Sequence, residues 1–310
     1  YIAFSYTFYF SLKTSKEITN EKFINLLLQN GNANILYDYD LINVVNDTVN
    51  YLLKIDLTKP KTILNSTIFS QKQAKEINIY YDDDYSNMQQ LKEISSYIED
   101  PNPVDINNPI IYIYNSHQLE NYNNEKLDIY GITPNVLMAS YILKEKLNSL
   151  GLASIVETTN ITDFLNANNW DYTSSYSASR ILMLNNISKY DSLTYFIDIH
   201  RDSVSKSVST VTIDGKNYAK VLFVVGLEHN NYQANLDNAN KLNTLIEKYY
   251  PSLSRGVYKK QGSGVNGIYN QDISPNTFLI EVGAVDNNID EVFNTIEALS
   301  NVLYHYIKGE

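Results

Sequence analysis

The sequence predicts an α/β fold in which a mainly parallel, twisted sheet is flanked by helices, preceded by a smaller and mostly helical N-terminal region. After residue 105, short apolar runs of strand length alternate with longer segments of helical periodicity, which is typical of βαβ units. Before it, the apolar spacing is helical at Glu17–Asn30 and Leu41–Ile55. A segment rich in Pro, Asn and Asp, residues 99–109, separates these regions, so we expect domains at 1–105 and 106–310.

The elements of the second region follow one another in regular alternation. The predicted strands are apolar runs at Ile110–Tyr114, Leu152–Glu157, Tyr195–His200 and Thr277–Val282, with a hairpin formed by Val211–Ile213 and Tyr218–Val225 around Asp214-Gly215. The predicted helices are Pro134–Leu150, Ser175–Ile187, Tyr232–Tyr250 and Asp290–Ile307. Because ligands of such sheets gather beyond the carboxyl ends of the strands, functional residues are expected there.

The composition excludes several classes of partner and site. The formal net charge of -11 repels phosphate backbones, so no nucleic-acid partner is expected. The absence of cysteine excludes disulfides, thiolate metal ligands and a cysteine nucleophile. Any imidazole-ligated metal site must therefore be drawn from the four histidines, which are His117, His200, His229 and His305.

Two histidines and two glutamates lie where predicted strands end. His117 and Glu120 follow the first strand, His200 ends another, and Glu281 lies near the end of the last one. Catalytic zinc sites commonly use two histidines and one carboxylate and leave a fourth position open. We therefore predict that His117, Glu120 and His200 bind Zn²⁺, although Glu125 could replace Glu120.

Glu281 is the predicted catalytic carboxylate of this site. Zinc lowers the pKa of water and polarises a scissile carbonyl, and a second carboxylate must then carry a proton to the leaving amine. Arg201 could stabilise the developing oxyanion or bind an anionic group of the substrate, and Asp198 or Asp202 could orient His200. The residues alone leave other readings open, since a His-x-x-Glu spacing also occurs by chance and Glu281 could be an ion-paired core carboxylate. His229 stays a minor candidate for a ligand.

The same residues resemble the stage II sporulation protein P family, which is related to the zinc amidases of bacterial cell walls. The matching segments, in chain order, are IIYIYNSHQLENY from residue 110, Tyr176–Arg180, YFIDIHRDS from residue 195, Tyr269–Asp272 and TFLIEVGAVDNN from residue 277. The His-Thr-His motif usual in that family reads Asn115-Ser116-His117 here, so its first histidine is missing. Residues 1 to about 105 match much less well.

The resemblance implies an N-acetylmuramoyl-L-alanine amidase of the amidase or phosphorylase/hydrolase fold, with possible endopeptidase activity on peptidoglycan. It implies that His117, Glu120 and His200 bind zinc and that Glu281 is the catalytic residue. Arg180, Asn270 and Gln271, which lie in two matching segments, are the candidate substrate-binding residues. It also implies a membrane-anchored, extracytoplasmic protein that acts in spore engulfment, with a lytic transglycosylase and membrane partners of that machinery.

Two other functions are also compatible with these residues. A zinc carboxypeptidase-like cell-wall peptidase would use the same ligand pattern and would need a positive pocket for a carboxylate. A non-catalytic wall-binding scaffold would keep the residues of the site without the activity. The apolar segment Tyr1–Leu12 is shorter than the roughly 20 residues that span a bilayer. It is therefore expected to be either a first strand or buried N-terminal segment, or the tail of a signal or membrane anchor.

Overall fold

A six-stranded sheet organises the part of the chain that the computed structural model describes, residues 97–123, 127 and 132–309. Its strands are β1 Ile111–Tyr114, β2 Ser154–Val156, β3 Tyr195–Asp202, β6 Val221–Gly226, β7 Ser254–Lys260 and β8 Thr277–Ala284. Their order in the sheet is β2-β1-β3-β8-β6-β7, and neighbouring strands of this sheet are parallel except β6 and β8. The strands β4 Thr210–Ile213 and β5 Lys216–Ala219 form a separate antiparallel hairpin. The predicted α/β fold with a mainly parallel sheet is confirmed.

Helices cover both faces of the sheet. They are α1 Val136–Ser149, α2 Ile161–Ala167, α3 Ser175–Lys189, the short α4 Lys206–Ser209, α5 Tyr232–Tyr249 and α6 Ile289–Lys308. Asparagine side chains begin three of them, since Asn135, Asn160 and Asn288 accept hydrogen bonds from first-turn amides. Asn288 forms a full capping box with Glu291.

The two faces of the sheet differ in what they bury. Successive strand residues point to opposite faces, so Tyr112 and Tyr114 lie on the face that packs against Met183 of α3. On the opposite face, Tyr195 and Phe278 contact Tyr306 of α6. His200 pairs with Glu281 in register across β3 and β8, two residues beyond Asp198 and Leu279, so all four share the α3 face.

Four elements differ from the prediction. The strand β7 and the helices α2 and α4 were not predicted, and the expected strand Tyr218–Val225 is divided into β5 and β6. The division occurs at Lys220, whose amide donates to the carbonyl of Ser209 and whose carbonyl accepts from Gly283. These two backbone contacts move the chain from the hairpin into the main sheet.

The N-terminal predictions lie largely outside the described residues. This holds for the helices at Glu17–Asn30 and Leu41–Ile55 and for the segment Tyr1–Leu12, and the boundary at residue 105 stays a prediction. Asp100, which lies just before that boundary, forms a buried ion pair with Lys144 of α1, with 2.6 Å between Oδ2 and Nζ. Within the described ranges, no helix is both long and apolar enough to cross a membrane.

Candidate metal centre

The carboxyl ends of three parallel strands meet at the site. The loop after β1 carries His117 and Glu120, the end of β3 carries His200, and the adjacent strand β8 carries Glu281 opposite His200. His117, Glu120 and His200 are 3%, 8% and 2% exposed, so their polar atoms are removed from bulk water. Parallel pairing of β1, β3 and β8 thus brings together residues that are far apart in sequence.

The imidazoles and the carboxylate converge on a small volume. One ligand atom from each of His117, Glu120 and His200 lies within 4.8 Å of the other two. Oε1 of Glu120 is 3.4 Å from Nδ1 of His117 and 3.2 Å from Nδ1 of His200. Two ligands placed about 2.1 Å from one ion at a tetrahedral angle are about 3.4 Å apart, so these separations suit one shared cation.

Asp198 and Ser116 determine which nitrogen of His200 faces this volume. Nε2 of His200 lies 3.0 Å from Oδ1 of Asp198 and 3.0 Å from Oγ of Ser116. The Ser116 hydroxyl and amide both donate to Asp198, at 2.6 and 2.9 Å. Nε2 therefore carries the proton that these oxygens accept, and Nδ1 is turned towards Glu120. A carboxylate that fixes a histidine in this way is typical of metal sites in proteins.

The charged groups of the cluster shift the pKa values of Glu120 and His200 in opposite directions. Burial raises the pKa of Glu120, but the charge of His200 and hydrogen bonds from both histidines outweigh burial and hold that pKa well below its ordinary value. Burial lowers the pKa of His200, but Asp198 and Glu120 together raise it well above its ordinary value. The cluster therefore favours a carboxylate facing positive charge, which either a proton on His200 or a bound cation can supply.

The donor set fits zinc. Two imidazoles and one carboxylate are the ligands of many catalytic zinc sites, and the cluster holds them with a fixed ring orientation for His200. When His200 is neutral and keeps its proton on Nε2 towards Asp198, the unprotonated Nδ1 and Glu120 repel each other at 3.2 Å unless a cation lies between them. Among the described residues, no other group of three or more His, Cys, Asp and Glu side chains brings its ligand atoms together in this way.

Glu281 lies beside the cluster and has a different environment. Burial raises the pKa of Glu281 to about 7, Glu120 and Asp202 also raise it, and His200 and Lys260 lower it. Its Oε2 has no hydrogen-bond partner within the described part of the chain. The carboxylate can therefore be either protonated or charged near neutral pH.

A cleft of about 950 Å³ borders Glu281 on the side of β6 and β7. Four cations line it, Lys220, Arg255, Lys259 and Lys260, and we call it the basic cleft. None of these cations stood out in the sequence, because they come from β7 and from the junction between β5 and β6, which the predicted elements did not bring together.

Arg201 is held against the loop that carries the ligands. Its amide donates to Oε2 of Glu120 at 2.8 Å, and its Nε donates to the carbonyl of Asn121 at 2.9 Å. The two carboxylates considered as partners of His200 have separate roles, because Asp202 pairs instead with Arg255 at 2.7 Å. Arg201 thus restrains Glu120 from the backbone side while Asp198 orients the histidine.

The predicted substrate-binding residues Arg180, Asn270 and Gln271 form hydrogen bonds that hold the loop after β7 in place. Both terminal guanidinium nitrogens of Arg180, Nη1 and Nη2, donate to the carboxylate of Asp272, at 2.7 and 2.8 Å. Asn270 donates to Oγ of Ser179 at 3.0 Å, and Gln271 accepts from the amide of Gly226 and donates to the carbonyl of Val224. Asn270 and Gln271 are buried, so in this structure both residues anchor the loop against α3 and β6.

Asn115, His229 and Glu125 were also considered from the sequence. Asn115 is buried, donates to the carbonyl of Ile199 at 2.6 Å and accepts from Ser140 at 3.0 Å, so it ties β1 to β3 and α1. His229 follows β6 and is not part of the metal-ligating cluster. Glu125 lies outside the described residues.

Comparison with solved structures gives low structural similarity over about two thirds of the chain. The CwlD amidase from Clostridioides difficile in complex with the GerS lipoprotein has a TM-score of 0.41 at 14% identity, covering 64% of this chain and 97% of that one. An N-acetylmuramoyl-L-alanine amidase from Clostridium difficile 630 has a TM-score of 0.40 at 14% identity, and the match covers 66% of this chain and 97% of that one. A metallo-carboxypeptidase from Burkholderia cenocepacia has a TM-score of 0.39 at 9% identity, and the match covers 66% of this chain and 58% of that one.

Sequence comparison is more specific. Stage II sporulation protein P of Bacillus subtilis (strain 168) is 37% identical over 199 residues, which are 62% of this chain and 50% of that protein. The chain thus spans about half the length of this relative. The model of the family described as stage II sporulation protein P matches residues 26–304. Because that match takes in most of the chain, including His117, Glu120 and His200, the protein belongs to the stage II sporulation protein P family.

Proposed function

We propose that residues 106–310 form a zinc-dependent peptidoglycan hydrolase that cleaves the amide bond between N-acetylmuramic acid and L-alanine. The observation that carries this proposal is the convergence of His117, Glu120 and His200 within 4.8 Å, next to a carboxylate whose pKa lies near neutrality. Membership in a sporulation family supports the wall substrate, which these residues by themselves do not specify.

The proposed reaction is hydrolysis of an amide. When bound to His117, Glu120 and His200, Zn²⁺ would supply a Lewis acid that polarises the carbonyl and acidifies water. Glu281 takes a proton from the attacking water as the C–O bond forms, and delivers it to the nitrogen as the C–N bond breaks. The products are a carboxyl group on muramic acid and a free amine on L-alanine. A pKa near 7 suits a group that must both accept and donate a proton.

The surrounding residues have supporting roles in this proposal. Asp198 and Ser116 keep Nδ1 of His200 directed at the ion, and Arg201 restrains Glu120 while its guanidinium stabilises negative charge that develops on the carbonyl oxygen. Arg180, Asn270 and Gln271 contribute to substrate binding through the shape of the loop that they anchor.

A zinc carboxypeptidase-like peptidase is the second candidate, and one observation favours it. Such an enzyme needs a positive pocket for the terminal carboxylate, and the basic cleft borders Glu281. The two activities give different products, because a carboxypeptidase releases single terminal amino acids whereas the amidase releases whole stem peptides.

The biological setting is proposed from the family. We infer that the protein acts on the extracytoplasmic side of the membrane, anchored there, during engulfment of the developing spore. In that setting it would work with a lytic transglycosylase and membrane partners of the engulfment machinery, and it would cut peptide cross-links as well as the amide bond.

Mass spectrometry of digested cell walls tests the proposed activity. Walls are incubated with zinc-loaded wild type, with metal-free protein and with zinc-loaded Glu281→Gln. We expect soluble peptides with a free N-terminal L-alanine only with zinc-loaded wild type. Single amino acids would favour the carboxypeptidase, and wall binding without products would favour a non-catalytic scaffold.

A further inference from the structure

The basic cleft contrasts with the charge of the whole chain. The chain has 35 acidic and 24 basic residues, yet four cations line this one cleft, with Asp202 and Glu281 as its carboxylates. Asp202 already pairs with Arg255 at 2.7 Å. Among the described residues, no carboxylate forms an ion pair with Lys220, Lys259 or Lys260. Lys260 interacts electrostatically with Glu281, which leaves Lys220 and Lys259 as the uncompensated cations of this concavity. Together they create a positive local potential that attracts anions.

The cleft also has the size and the apolar surface of a binding site for a short chain. Its volume of about 950 Å³ is near the upper end of the range for small-molecule sites, which is roughly 300–1,000 Å³. Tyr258 and Val208, which line it, are 56% and 47% exposed. A ligand with small apolar groups and several anionic groups would therefore match both features.

The direction of the reaction indicates which half of the substrate enters the cleft. In the proposed function, on which this step rests, Glu281 returns its proton to the leaving nitrogen, so that nitrogen must lie within reach of Glu281. The leaving nitrogen belongs to the peptide, and the acyl half, which carries the sugar, lies towards the metal ligands. A peptide that extends away from Glu281 on the side of β6 and β7 enters the basic cleft.

We propose that the basic cleft is the subsite for the peptide half of the substrate and that Lys220 and Lys259 bind its free carboxylates. The occupant is a short acidic peptide with small apolar side chains, such as the stem peptides of peptidoglycan. Lys260 is a less suitable test position, because its charge also acts on the pKa of Glu281.

The binding of a product peptide tests this assignment without requiring hydrolysis. The probes are the tripeptide L-alanyl-γ-D-glutamyl-diaminopimelic acid and the same peptide with its carboxylates converted to amides. Calorimetry uses the zinc-loaded wild type, the double variant Lys220→Met/Lys259→Met and the control Lys248→Met, whose lysine is exposed on α5 outside the cleft. Methionine keeps the length of lysine and removes its charge.

We expect wild type and Lys248→Met to bind the acidic peptide about tenfold more tightly than the amidated one, a preference that shrinks in high salt. The double variant should bind both peptides equally and should bind the amidated one as wild type does. Equal binding of the two peptides by wild type, or a preference that persists in the double variant, would overturn the assignment. Failure to release stem peptides from walls would instead refute the proposed function, and the binding result would still decide the role of the cleft.

Discussion

The candidate site has two sides that differ in how their side chains are held. On the side of β1 and β3, the side chains of His117, Glu120 and His200 are buried and contact one another. On the side of β6 and β7, most of the cations around the basic cleft have no ion pair within the described residues. The first side has one arrangement, because Asp198, Ser116 and Arg201 determine where its ligands point. On the second side, within the described residues, no ion pair restrains Lys220 or Lys259. This difference suggests that the chemistry belongs to the first side and the selection of substrate to the second.

The largest expected effect comes from removing a ligand on the buried side. His200→Ala should abolish stoichiometric zinc binding and reduce wall hydrolysis to background, because two remaining ligands hold zinc poorly. Metal analysis of the purified variant checks this. Glu157→Gln is the matched control, since Glu157 is also buried and accepts from Tyr112 at 2.6 Å but does not belong to the cluster. Zinc retained in His200→Ala would contradict the assignment of this residue as a ligand.

Glu281→Gln should separate catalysis from metal binding. We expect zinc content to stay at one per chain while kcat falls by about 10²- to 10⁴-fold, because glutamine cannot carry the proton. Steady-state kinetics on soluble muropeptides, with metal analysis of the same samples, measures both quantities. A variant that keeps wild-type kcat would show that another group carries the proton.

Asp198→Asn should weaken the buried side without removing a ligand. The loss of the charge next to Nε2 of His200 should lower zinc affinity by about 10- to 100-fold. Competition with a chelator measures the affinity of the variant and of Glu157→Gln. If both variants bind zinc as tightly as wild type, Asp198 has a purely structural role.

Asn115→Ala tests whether the residue in place of the family's first histidine belongs to the buried side only as a structural link. The change removes buried hydrogen bonds to the carbonyl of Ile199 and from Ser140. We expect a loss of about 1–3 kcal/mol in the free energy of unfolding, with unchanged zinc stoichiometry. Loss of zinc from a variant that remains folded would instead make Asn115 part of the metal centre.

The smallest effect concerns the stability of the metal-free protein. Folding raises the pKa of Glu281 from 4.5 to about 7, so the folded state binds the proton more tightly than the unfolded state. The stability from this group is complete below about pH 4.5 and is lost as the pH rises towards 7. The difference in melting temperature between metal-free Glu281→Gln and metal-free wild type should therefore grow in favour of the variant as the pH rises from 5 to 8. A difference that does not change with pH would show that Glu281 has an ordinary pKa.

The strands that carry the site were predictable because they are buried on both faces and therefore read as apolar runs, as in Ile111–Tyr114 and Thr277–Ala284. The edge strand Ser254–Lys260 was missed because its residues are polar and partly exposed, so it lacks that signal. The division at Lys220 depends on backbone contacts with Ser209 and Gly283, which no local pattern encodes.

Within the site, the positions of the ligand candidates followed from the strand ends, but strand alternation could not choose between Asp198 and Asp202, because each is two residues from His200. The register shift between His200 and Asp202, and the ion pair of Asp202 with Arg255 of the unpredicted strand β7, leave Asp198 as the partner of His200. The roles of Ser116 and of the basic cleft could not be predicted, because they depend on side-chain contacts between distant segments.

A crystal of the zinc-loaded protein, with anomalous diffraction recorded at the zinc absorption edge, tests the metal assignment most directly. We predict one anomalous peak, about 2.0–2.2 Å from a ring nitrogen of His117, a carboxylate oxygen of Glu120 and Nδ1 of His200. The absence of a peak between these three residues in protein saturated with zinc, or a peak bound by Glu125 in place of Glu120, would contradict it.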